Sequence, residues 1–259
     1  RSCVDLIVKA HRRNKPVIFL LGAHVLKCGL NPLIIQLIKK NVITLIAMNG
    51  AGMIHDFEIA SYGKTSEDVL AGSIDGSFGM AKYTADFLNS TTQEAAEIDQ
   101  GLGYTVGKNI KQENLRYKDF SILFNCYENK IPTTIHVAIG TDIIHQHSSF
   151  RGEDAGKASL KDFHILAEHL TKIGNGGVVV NIGSAVILPE VFLKALTITR
   201  NLGYKTFNFT AVNLDMFNQY RPQQNIVNRP TQPKGKGFYI TGHHEIMVPL
   251  LVASILEKL

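Results

Sequence analysis

Histidine can exchange a proton near neutral pH, bind a transition metal or brace a loop, so the positions of the histidines are the first clue to chemistry in this chain. Six of its ten histidines, His24, His55, His145, His147, His243 and His244, fall in short segments that follow apolar runs. Carboxylates stand close to several of them: Asp56 follows His55, Asp142 precedes His145 by three positions, and Glu245 follows His244. A carboxylate beside an imidazole fixes its tautomer and favours its protonated form, which is what acid–base catalysis uses. The donors of His145-x-His147, His243-His244-Glu245 and Asp142 would also suit zinc, although both spacings are short and common.

Glycines supply a second clue. Asn49-Gly-Ala-Gly52 and Gly183-Ser184 lie between an apolar run and a helical stretch, where bare backbone can aim N–H groups at phosphate. Neither segment is a GxGxxG fingerprint, and strand-to-helix turns favour small residues in any case.

These residues need a frame. Val17–Leu21, Ile43–Met48, Thr133–Ile139, Val178–Ile182 and Thr206–Thr210 are β-rich runs without clean alternation, the pattern of strands covered on both faces. Helical stretches follow at Pro32–Lys40, Phe163–Lys172, Pro189–Asn201 and Ile246–Lys258, with Pro189 suited to a helix start. The alternation predicts an α/β fold, a doubly wound, Rossmann-like parallel sheet with helices on both faces. One domain is expected over residues 1–259, with a mainly helical insertion at about 65–115 and an extended loop over 218–237. All strands of such a sheet end at one edge, where ligands bind. That edge is expected to gather six segments: Gly22–Gly29, Asn49–Asp56, Gly140–His147, Gly183–Pro189, Ala211–Asp215 and Gly242–Glu245.

Composition narrows the class. The net charge of +5 comes from dispersed lysines and arginines, a solvated surface rather than a nucleic-acid site. Three separated cysteines without a CxxC pair fit reduced thiols, and no apolar run is long enough to span a membrane, so a cytoplasmic location is expected. Arg1 opens the chain without methionine, and a preceding piece is expected.

An ordered series of motifs resembles the deoxyhypusine synthase family over roughly residues 15 to 256. From Phe19 to Ala60, Gly29, Asn49-Gly-Ala-Gly52 and Asp56 stand at the intervals of the family's SNxxSSG and TAGGxEED turns. Asp142, His147 and Ser148 match its GDxxxxHS stretch, and Gly183 to Leu188 resembles GGGVVK. Thr210–Asp215 resembles TAQEFD, and Val248–Ala253 matches FPLLVA. The resemblance implies a Rossmann-like NAD-binding fold, assembly as a homo-oligomer, dimer or tetramer, and transfer of an aminobutyl group from spermidine to a protein lysine. Together with the glycine turns and the positive charge of Lys27, it leads us to expect NAD contacts from Gly22, His24, Lys27, Gly29, Asn49, Gly50, Gly52, Gly183, Ser184, Thr210 and Asp215.

The departures change the expected chemistry. Leu188 stands where the family's catalytic lysine would be, the chain has no tryptophan, and Met216–Gln219 and Gly242–Glu245 replace the carboxylate motifs that hold the polyamine. Deoxyhypusine synthesis is therefore not expected. We expect an enzyme that binds NAD or a related nucleotide and acts on a small substrate, with His147, oriented by Asp142, as its acid–base residue. His55, Asp56, His145, His243, His244 and Glu245 are expected around that substrate. A zinc-type enzyme and a non-catalytic binding protein are the alternatives.

Overall fold

A computed structural model describes residues 2–259, so Arg1 lies outside the described residues. In chain order the elements are α1 Ser2–Arg12, β1 Val17–Leu21, α2 Ala23–Lys27, α3 Asn31–Lys39, β2 Leu45–Asn49 and α4 Gly50–Tyr62. Then come α5 Val69–Asp75, α6 Lys82–Glu97, α7 Leu102–Gln112, α8 Ile122–Glu128, β3 Thr133–His136 and α9 Gly152–Leu170. The chain closes with β4 Val178–Ile182, α10 Ile187–Asn201, β5 Thr210–Asp215, the short turn α11 Tyr220–Pro222, β6 Lys236–Thr241 and α12 His244–Lys258.

The six strands are all parallel, in the order β3-β2-β1-β4-β5-β6. This is the strand order of a doubly wound Rossmann fold, and the winding reverses between β1 and β4. Side chains of one strand alternate between faces, and both faces are dry. Val17, Phe19 and Leu21 join α1, α3, α4, α8 and α12 in one apolar cluster, whereas Ile18 and Leu20 join α9 and α10 in another. Burial on both sides explains why these strands read as continuous apolar runs.

Two strands differ from the sequence expectation. The run expected at Thr206–Thr210 is a bend: Asn208 has φ 59°, which no strand residue adopts, and the strand is Thr210–Asp215. Asn213 lies inside this strand. It is buried against the adjacent strand, where Asn181 Nδ2 donates to Asn213 Oδ1 at 2.6 Å. The extended loop expected over 218–237 instead contains α11 and a π-helical stretch at 223–228, and leads into β6, an edge strand too exposed to carry an apolar signature. Residues 65–115 hold α5, α6 and α7, with Leu102, Val106 and Ile110 of α7 reaching the core beside β3.

Candidate functional site

Five of the six segments expected at the ligand edge follow the carboxyl ends of β1, β2, β3, β4 and β6. The sixth, Ala211–Asp215, is β5 itself, and Asp215 reaches the edge at its end. Thr210 begins β5 and therefore lies at the opposite edge, away from the other expected cofactor residues.

The histidines divide into two groups. The first surrounds a cleft of about 200 Å³ lined by Lys27, His55, Glu58, Glu67, Phe78 and Asp142 among others. Asn49 caps α4 by accepting from Gly52 N at 3.0 Å, and the helix carries His55 and Glu58 one turn apart into the cleft. His55 Nδ1 lies 2.6 Å from Thr65 Oγ1, whose hydroxyl in turn donates to Glu58 Oε2. With its hydrogen committed to Glu58, the Thr65 oxygen accepts, so His55 carries a proton on Nδ1. Hydrogen bonds from His55 and Thr65 hold the Glu58 carboxyl below its usual range against the opposing effect of burial, which is the largest single influence.

Asp142 faces the same cleft from the segment after β3. Its carboxylate fills the space above Gly50 at the start of α4: a Cβ on Gly50 would sit 1.9 Å from Asp142 Oδ2. Oδ2 is buried without a hydrogen-bond partner, and burial pushes the carboxyl up to about 6, with the charge of nearby His55 acting the other way. His145 Nδ1 accepts from Gly140 N at 3.0 Å and Asp142 N at 3.2 Å, which places its proton on Nε2, 3.8 Å from Asp142 Oδ2. Burial lowers the His145 pKa further toward the neutral ring.

The expected pairing of His147 with Asp142 is not found. His147 Nε2 donates to Gly79 O at 2.8 Å, and Glu67 accepts from Gly79 N at 2.8 Å, so His147 ties down the 65–80 segment that roofs the cleft. Asp56 is likewise not at the cleft surface. It is fully buried and accepts from Asn31 Nδ2, Ser121 Oγ, Ile122 N and Leu123 N, anchoring the start of α8, and burial pushes its carboxyl up to about 6.

The second group lies where β1, β4 and β6 end. Gly22 must be glycine because β1 and β4 run together there: a Cβ would fall 2.1 Å from Gly183 O. The buried His244 ring rests on Gly183, and its centroid is 5.8 Å from that of exposed His24. Burial lowers the His244 pKa, and its Nδ1 has no hydrogen-bond partner. His24, Cys28 and Glu245 bring their donor atoms within 4.8 Å of one another, the one such group of metal-ligating side chains among the described residues. The six zinc donors expected at Asp142, His145, His147, His243, His244 and Glu245 do not form such a group, and only Glu245 of that set belongs to this one.

Against a dinucleotide, the expected residues fit only in part. The start of α4 is closed to phosphate by the Asp142 carboxylate, Ser184 Oγ is used by Leu188 N at 3.3 Å, and Gly183 is covered by His244. The α2 side is open: Lys27 is exposed, and a Cβ added to Gly29 would meet nothing within 4 Å.

Sequence reasoning passed over Cys28, Glu58, Thr65 and Glu67. The helical spacings His24-x3-Cys28 and His55-x2-Glu58 were visible signals. Thr65 and Glu67 carried none, because a loop fold brings them in.

No family profile and no curated protein matches the chain. Solved structures do. AgrE in ternary complex with ornithine and NAD+ has a TM-score of 0.63 at 13% identity, covering 99% of this chain and 32% of AgrE. A conserved protein from Methanococcus maripaludis S2, provisionally described as LOR/SDH, gives 0.59 at 14% over 99% of this chain and 67% of that one. A protein from Entamoeba histolytica, provisionally described as a deoxyhypusine synthase, gives 0.57 at 12% over 98% and 86%. The chain thus spans about a third of AgrE and two thirds of the Methanococcus protein. At these identities the likeness is one of fold alone: the chain has the Rossmann-like architecture of a protein that holds NAD+, and its likeness to the E. histolytica protein is of the same kind.

Proposed function

We propose that the protein is an enzyme acting on a small molecule that carries a basic amine, with His55 as general base and Asp142 as the group that receives the ammonium. The observation that carries this reading is the Asp142 Oδ2 atom, buried beside His55 without a donor. A buried, unpaired carboxylate oxygen is costly, and an ammonium from a ligand would relieve that cost. The Glu58–Thr65–His55 chain keeps the proton on Nδ1, so Nε2 can take a proton from the amine or the adjacent carbon and pass it to solvent. Phe78, Ile54, Val69 and Ile143 give the cleft apolar walls for an aliphatic stem. AgrE complexes hold ornithine or L-arginine, both amines of this kind, which supports the choice of probes.

A dinucleotide would be held on the α2 side by Lys27 and Gly29, and bound NAD would supply a hydride acceptor. Aminobutyl transfer is not part of the reading. Leu188 is buried in the apolar cluster beneath β4 and has no nitrogen to form a covalent intermediate.

Calorimetry with ornithine and L-arginine, with and without NAD+, tests this reading. One of the amines is expected to bind about tenfold more tightly at pH 7 than at pH 5, as the Asp142 carboxyl ionises through about 6. Asp142→Asn should abolish this pH dependence and weaken binding. His55→Gln should retain binding and lower any NADH production by on the order of 100-fold. No binding of either amine at millimolar concentration, or unchanged binding by Asp142→Asn, would overturn the reading.

A further inference from the structure

We propose that His24, Cys28 and Glu245 form a zinc-type metal site at the carboxyl edge of the sheet, with an open coordination position. The proposal does not rest on the His55–Asp142 reading and involves different side chains. It begins with a local feature of the chain. Cys28 N donates to His24 O at 3.0 Å, closing one α-helical turn, so the imidazole and the thiol leave the same side of α2.

Glu245 enters from a different element. It lies in the first turn of α12, directly after the edge strand β6, and brings a carboxylate oxygen within 4.8 Å of the Cys28 sulfur. Two helices at the ends of β1 and β6 therefore deliver one nitrogen, one sulfur and one oxygen donor to a common point, all within 4.8 Å. A tetrahedral ion with bonds of about 2.0–2.3 Å keeps its ligands roughly 3.5 Å apart, so a contraction of about 1 Å, within reach of side-chain torsions, completes the shell.

The donor set selects the class of metal. A thiolate with an imidazole and one carboxylate suits Zn²⁺ or Co²⁺ and argues against Mg²⁺ or Ca²⁺, which prefer all-oxygen shells. Three protein ligands leave a fourth position, and exposure of His24 and Glu245 turns it to solvent, where water or an oxygen of a substrate would complete the shell. Behind the site, the His244 ring packs against His24 and limits its swing. Binding requires the thiolate, so the Cys28 proton is released to solvent as the metal–sulfur bond forms.

Cobalt reports this geometry directly. Adding Co²⁺ to the reduced, metal-free chain should give one bound equivalent, a near-ultraviolet thiolate-to-cobalt charge-transfer band and the strong visible absorption of a four-coordinate ion, with Zn²⁺ displacing it. Cys28→Ser should remove the charge-transfer band and weaken Zn²⁺ binding by about 100-fold or more. His24→Asn and Glu245→Gln, at exposed positions where the fold tolerates change, should each weaken it by at least about tenfold. Circular dichroism of each variant separates loss of the site from loss of the fold. A pale six-coordinate spectrum, a charge-transfer band that survives Cys28→Ser, or Zn²⁺ affinity unchanged in both exposed variants would overturn the proposal.

Discussion

Asp162 is a buried carboxylate whose neighbours are mostly backbone. On α9, its Oδ2 accepts from Ile135 N at 2.7 Å and Gly103 N at 3.0 Å, tying β3 to the start of α7, while Oδ1 has no partner. Burial pushes its pKa up to about 8 in spite of those donors. The fold therefore holds this proton more tightly than the unfolded chain does. Its contribution to stability is full below about pH 4 and is lost as the pH rises toward about 8. Asp56 and Asp142, each near 6, have lost theirs by about pH 7. Buried His136 and His169, lowered to about 3 and about 4, act oppositely and cost stability only as the pH falls below their unfolded values. Between about pH 6.5 and 8, Asp162 thus sets most of the slope contributed by these groups. Asp162→Asn keeps an acceptor oxygen and is expected to flatten that slope by on the order of 1 kcal/mol. Urea unfolding of both proteins at the two pH values measures it, and a variant-minus-parent difference that does not change with pH would rule the assignment out. Residue identities alone could not rank such groups. Asp56 and Asp142 each stand near a histidine in sequence, yet one anchors a helix and the other faces a cleft.

Elements meet tightly where β1 and β4 end, and glycine makes that contact possible. Gly22→Ala would drive a Cβ to within 2.1 Å of the Gly183 carbonyl oxygen, and backbone on both sides cannot yield, so we expect a loss of about 2–4 kcal/mol. Gly29→Ala has open space around it and suffers only from its φ of 71°, for an expected loss of about 1 kcal/mol. Melting temperatures of the two variants compare the mechanisms directly. Equal losses would mean that strand proximity is not what demands glycine at position 22. The same element scale shows where reading the sequence failed. The interiors of β1, β2 and β4 were legible because both of their faces are buried, whereas β5 was expected one short run too early, at Thr206–Thr210, and β6 was missed because an edge strand needs no apolar run.

At the scale of the molecule, apolar side chains remain at the surface. Leu70 and Ile74 of α5 are 76% and 81% exposed, and Ile246 and Leu250 of α12 are 57% and 58% exposed. We propose that such surface is covered in a homo-oligomer of closed symmetry. Light scattering at micromolar concentration should give at least a dimer, and Leu70→Glu with Ile74→Glu should shift it toward monomer; a monomeric parent protein would end the idea. No helix among the described residues is long and apolar enough to cross a membrane. By itself the sequence determined the parallel α/β architecture and the edge where its histidines gather, because apolar periodicity and strand-to-helix turns are local signals. Only the tertiary structure decided which groups meet: His55 with Thr65, His147 with Gly79, Asp142 with the start of α4, and Cys28 with Glu245. Those partners are brought together by crossovers and by the path of the 65–80 segment. No spacing along the chain encodes a contact made by a loop that must first fold over its neighbour.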